Sequence, residues 1–209
     1  MNYQSVGNRL AVDFGEFNLP ISTDQALNLL NQKGFGRIDV DIVSLGRSVI
    51  GIAKYSRGAR LSEAPNIFDC SSLMKWLYGQ KGIWLPRRSI QQREYGIPID
   101  LSEIHGGDLV FTSGFIDYYL NDPSDGVGHV GVATGDDTII HAVNKKFGIV
   151  ETPLKRFIRD GLRGVRRFIP KDRKIYTFIT PPNREVEWSD DVRWIILQSL
   201  GNRSSRPAT

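Results

Sequence analysis

The chain holds one cysteine and three histidines, so its capacity for nucleophilic chemistry can be read residue by residue. Cys70 follows Asp69, a residue type that caps helices, and precedes Leu73, Met74, Trp76 and Leu77 at helical spacing. A free thiol is most often an inert apolar group. In the first turn of a helix, however, unpaired amides and the macrodipole favour an anion, which predicts a lowered pKa and a better nucleophile. Two histidines offer the base. The segment GHVGVATGDDTIIHA, residues 128–142, reads as a β-hairpin turning at Gly135, which sets His129 directly opposite His141. Directly opposed residues point to one face of a sheet with Cβ atoms about 5 Å apart, close enough for the imidazoles to hydrogen-bond. Cys70 as nucleophile, His129 as base and His141 as the group that orients it make a set suited to acyl transfer. Either imidazole alone could equally satisfy a sheet contact; the pair together argues for chemistry. His105, in a Gly-rich turn, reads as solvated, and Asp108 as a turn or backbone partner. A single cysteine excludes an internal disulfide and multi-cysteine metal sites, and the chemistry requires neither metal nor cofactor.

The elements that must position these groups divide into helices first and strands afterwards. Helices are expected over 23–33, from Asp41 with the stripe Ile42, Leu45, Val49 and Ile52, from Asp69, and near Ser89 to Tyr95. Strand-like runs follow at 108–112, 129–134, 138–143, 148–152 and 164–169. That order points to an α+β fold with an antiparallel meander. Ser189 begins a last helix with Val192, Ile195, Ile196 and Leu200 on one stripe, expected to fold back on the core, and residues 202–209 are expected to fray. The division is a 1–40 extension, a 41–170 catalytic domain and a 171–209 extension. With 40% apolar and 10% aromatic residues the chain can close a core, and neither a repeat nor a low-complexity segment is present.

In order along the chain, FDCSSL, LPRRS, GGDLVF, GHVGV and IIHA resemble the NlpC-type cell-wall cysteine peptidase family over about residues 45–169. The resemblance implies a papain-like core with the cysteine at a helix N-terminus and the histidines on adjacent strands. It further implies Cys70, His129 and His141 as catalytic residues. The expected activity is hydrolysis of an amide in peptidoglycan stem peptides, typically the D-glutamyl to diamino-acid bond, so the expected partner is a peptidoglycan peptide or muropeptide. Substrate contacts are expected from Tyr55, Asp69, Ser71, Arg87 and Ser89. Asp69 and Ser71 resemble groups that receive a free stem-peptide amine, although helix capping explains them equally well. The family pattern Pro-Tyr-x-Trp-Gly-Gly is met here by Lys54-Tyr55-Ser56-Arg57-Gly58-Ala59, so Arg57 stands where an aromatic residue is usual. A thiol acyltransferase or amidase of transglutaminase-like mechanism is the alternative. The order Cys before His separates this chain from circularly permuted lipid-acyl relatives, and transglutaminase-like enzymes usually finish with an acid instead of a second histidine.

Charge adds a partner question. The chain carries 27 basic and 23 acidic residues, for a net +4, yet residues 153–174 hold nine basic groups against two acidic ones. This local basicity suits an anionic wall polymer; nucleic acid is not expected, because no interleaved aromatic platform accompanies it. The 112–128 segment is longer than a tight connection and reads as a lid in which Phe115, Tyr118 and Tyr119 cover the cleft, or as a surface excursion. No apolar run reaches the length of a membrane span, and residues 1–30 show no secretory signal pattern, leaving cytoplasmic residence or export to the wall by another route.

Overall fold

The computed structural model describes residues 1–204, with side chains through Gly201. Two compact units emerge: one gathers Met1–Val40, Gly79–Trp84 and the chain from Asp172, and the other comprises Asp41–Tyr78 and Leu85–Lys171. In the first, Tyr176–Ile179 lies between Arg9–Val12 and Gly36–Ile38 in an antiparallel sheet. Helix Thr23–Gln32 is capped by Ser22: Ser22 and Gln25 exchange side-chain bonds with each other's backbone N–H. Helix Ser189–Ser204 buries Val192, Ile195 and Ile196 in the same core as Leu30, Phe35 and Phe178. It continues past Gly201, so the expected fraying at 202–204 is not seen, while residues 205–209 lie outside the described residues.

The second unit carries a six-stranded antiparallel sheet. Its spatial order is Ile97–Ile99, Leu162–Arg167, Leu109–Thr112, His129–Ala133, Thr138–Asn144 and Gly148–Pro153. The last four form the expected meander, and Leu162–Arg167 returns to the free side of Leu109–Thr112. Alternation fixes the register, because a slip of one residue would turn the buried Val110, Ile139 and Val165 to the opposite face. The Asp41 helix is shorter than its apolar stripe suggested. It ends at Ser48, and Ile52 is 74% exposed, because the chain turns away through Gly51 at φ +73°.

Helix Cys70–Lys81 positions the thiol. Asp69 Oδ1 accepts from the Ser72 N–H at 2.8 Å, and Ser72 Oγ accepts from the Asp69 N–H at 2.8 Å, a reciprocal cap that sets where the helix begins. Leu73, Met74, Leu77 and Tyr78 are fully buried, each burial being worth roughly 1.5–3 kcal/mol against exposure. The start of this helix is thus held both by its cap and by its packed face.

Candidate active site

Cys70 is the first residue of its helix and is partly exposed. Burial and the nearby Asp69 carboxylate push its thiol up to about 11, against the weaker pull of the backbone of Val130 and Ser71 and of Arg87. Burial thus works against the lowering that the helix-start position predicts.

The imidazoles meet, though not as the sequence implied. Their strands pair Val132 with Ile140 and Ala133 with Ile139, so His129 and His141 lie on a diagonal and not in direct opposition. The turn centres on Asp136 instead of Gly135, since Gly135 and Asp137 take positive φ of 92° and 54° and the Thr134 N–H donates to the Thr138 carbonyl. Gly131, two residues along from His129 on its strand, stands opposite His141 and leaves room beside it. A Cβ there would stand 2.3 Å from Ile139 Cγ2 and 3.1 Å from His141 Cβ. His129 Nε2 lies 2.8 Å from His141 Nδ1, and His141 Nε2 lies 3.0 Å from Thr152 Oγ1. Phe157 packs on both rings, with centroids 5.5 and 4.8 Å away. Burial lowers His129 to about 4; burial, His129 and Arg156 lower His141 to about 3. At neutral pH both rings are uncharged. If His129 Nδ1 is to accept a proton, Nε2 must carry one and donate it to His141, whose own N–H then donates to Thr152.

Cys70, His129 and His141 line one cleft of about 1050 Å³, and so do Tyr55, Asp69, Ser71, Arg87 and Ser89. Asp69 presents no open carboxylate. It accepts from Arg87 at 2.5 and 3.1 Å, from the Gly58 N–H at 3.0 Å and from the Ser72 N–H at 2.8 Å. Burial alone would raise its pKa, but these donors overcome it and hold the carboxyl below its usual range. Arg87 also donates to Ser71 Oγ at 2.9 Å and the Ala59 carbonyl at 2.7 Å. The expected amine-receiving role of Asp69 thus meets a carboxylate already occupied. Tyr55 is raised by burial and by Cys70 and Asp69, so its hydroxyl remains a donor.

Phe115, Ile116 and Tyr118 line the cleft from the 112–128 segment, with Phe115 fully exposed. His105, expected to be solvated, is half-buried, with Nδ1 2.8 Å from Arg167 Nη2. Asp108 pairs with Arg167 and accepts from the His105 N–H, the backbone role expected of it. Within the basic run, Arg163 and Arg166 donate to backbone carbonyls and Arg167 and Arg173 pair with acids, so the run does not act as one free patch. Sequence reasoning missed Thr152, Gly131 and Phe157. Their signals lay in strand register and ring packing, neither of which composition reveals. Among the described residues no three His, Cys, Asp or Glu side chains form a metal cluster, and no helix is long and apolar enough to cross a membrane.

The NlpC/P60 family profile matches residues 53–167, more than half of the chain. The chain belongs to the NlpC/P60 family. A probable endopeptidase of Corynebacterium glutamicum is 37% identical over 113 residues, 54% of this chain and 47% of that protein. The gamma-DL-glutamyl hydrolase of Bacillus subtilis is 29% identical over 147 residues, 68% of this chain and 33% of its own length. The chain thus spans about half the length of the first of these curated relatives and a third of the second. Among solved structures, an NlpC/P60 family protein from Bacillus cereus superposes with a TM-score of 0.53 at 26% identity, covering 62% of this chain and 40% of that one. The α+β, papain-like architecture expected from sequence is the NlpC/P60 fold.

Proposed function

We propose that this NlpC/P60 domain is a cysteine endopeptidase acting on peptidoglycan stem peptides at the D-glutamyl to diamino-acid amide. The observation that carries the reading is that Cys70 lines one cleft, open to a peptide, with His129, which is in turn bonded to His141. The name of one of these relatives, a gamma-DL-glutamyl hydrolase, supports cleavage beside a gamma-linked glutamyl group. Cys70 Sγ attacks the amide carbonyl carbon while His129 Nδ1 takes the thiol proton. The backbone N–H of Cys70, with the Tyr55 hydroxyl beside it, stabilises the oxyanion. The C–N bond then breaks as the imidazolium protonates the leaving amine. Water, deprotonated by His129, hydrolyses the thioester and restores the thiol. His141 and Thr152 hold the tautomer; Ser71, Arg87 and Ser89 line the substrate's path. Lys155 and Arg156, exposed at or beside the cleft, are the groups of the basic run placed here to attract anionic wall polymer.

Incubation with defined muropeptides followed by mass spectrometry tests this. Products split between D-glutamate and the diamino acid are expected; intact substrate, or amine-transfer products of the acyltransferase alternative, would sink it.

The buried imidazoles also set a pH dependence. Since His129 protonates only near 4, kcat/KM should rise with pH through about 4 and stay level across neutrality. In the unfolded chain both imidazoles protonate near their ordinary value of about 6.5, so between there and 4 that chain binds more protons than the folded one. The melting temperature should accordingly fall as pH drops through this window. An acid limb near 6.5 in the rate profile, with a flat melting temperature, would mean that the rings are solvated.

A further inference from the structure

Every carboxylate lining the cleft carries its own arginine: Asp69 pairs with Arg87, Glu151 with Arg47, and Asp160 with Arg159. Arg57 and Arg88 line the same cleft and pair with no carboxylate among the described residues. Both are exposed, and both converge on one tyrosine. Arg57 Nη2 lies 3.4 Å from the Tyr118 hydroxyl, and Arg88 Cζ lies 5.7 Å from the centre of its ring. Two guanidinium groups that share one tyrosine, one at its hydroxyl and one over its ring, leave positive charge there that an anion between them would offset. Their planar N–H forks match the two oxygens of a carboxylate. With Asp69 neutralised by Arg87, this end of the cleft is net positive and suits an anion better than an ammonium group.

A γ-linked D-glutamyl residue carries such a group. Its side-chain carbonyl forms the bond to be cut, so its α-carboxyl is left free on the acyl side, a few bonds from the carbon that Cys70 attacks. We propose that Arg57 and Arg88 form an anion subsite for this α-carboxylate, so that the domain selects stem peptides in which it is not amidated. The inference rests on the D-glutamyl reading above. It also accounts for the arginine at position 57, where the family pattern has an aromatic residue.

The test uses L-Ala-γ-D-Glu-L-Lys with the D-glutamyl α-carboxyl either free or converted to the carboxamide. Binding is measured to the full chain carrying Cys70→Ala, so that nothing is consumed, and cleavage is measured with the unaltered protein. The free acid should bind about tenfold tighter or more, the scale of one charge-assisted hydrogen bond. Adding Arg57→Gln and Arg88→Gln together should bring the acid-to-amide ratio near one, while Arg57→Lys, which keeps the charge, should retain part of it. Circular dichroism confirms that each variant folds. Equal affinities in the Cys70→Ala protein, or a preference that survives the double glutamine substitution in folded protein, would overturn the subsite. If the acid preference appears in binding but the unaltered protein cuts neither peptide, the anion subsite stands and the hydrolase reading fails.

Discussion

Cys70→Ala should abolish hydrolysis of peptidoglycan fragments while leaving the fold in place. The substitution removes the atom that forms the thioester, and no other cysteine exists to replace it. Loss of the nucleophile from such a set costs on the order of 10⁴-fold or more in kcat. The structural cost is small for three reasons. Alanine is the best helix former, position 70 is the first of its helix, and the Asp69–Ser72 cap does not involve the sulfur. The melting temperature should therefore move by no more than about 4 °C, the effect of roughly 1 kcal/mol in a chain of this size. Product masses from matched digests, read beside a thermal melt, decide the point: turnover retained by a folded alanine variant would end the cysteine mechanism.

His129→Ala should lower kcat more than His141→Ala. His129 moves the proton in both acylation and deacylation, and removal of a general base costs about 10²–10⁴-fold. His141 acts through it, holding Nε2 from 2.8 Å, and a water admitted by the alanine substitution can supply part of that orientation. The smaller loss is expected to be about 10-fold to 10²-fold, with KM little changed. Steady-state kinetics on one stem peptide separate the two variants. The opposite ranking would exchange the roles of the two rings.

The parts of this site that were legible in the sequence are those governed by local chemistry. Asp69 announced the helix start because a cap needs only a side chain and the next turn's amides. The two histidines were placed on adjacent strands because their flanking valines and isoleucines mark strands. What escaped depended on geometry beyond a few residues. The hairpin register shifted because Asp137, not Gly135 alone, adopts a left-handed conformation, which lengthens the turn. Strand Ile97–Ile99 was hidden by Pro98 at its centre, tolerated because that strand lies at the sheet's edge. The sheet joining Arg9–Val12 to Tyr176–Ile179 pairs segments too distant in sequence to leave a local mark. The thiol's raised pKa followed from burial, a quantity that exists only in three dimensions.

Gly131 has no reactive group, donates no proton and would be absent from any inventory of catalytic atoms. Yet Ile139 and the base of the His141 side chain close in on the space where its own side chain would stand, beside the strand position that carries one of the two imidazoles. A single added methyl would press on Ile139, on the Ile140 carbonyl and on the base of the His141 side chain. Emptiness, held open at one point in a crowded sheet, thus helps to set where one ring of this centre can stand.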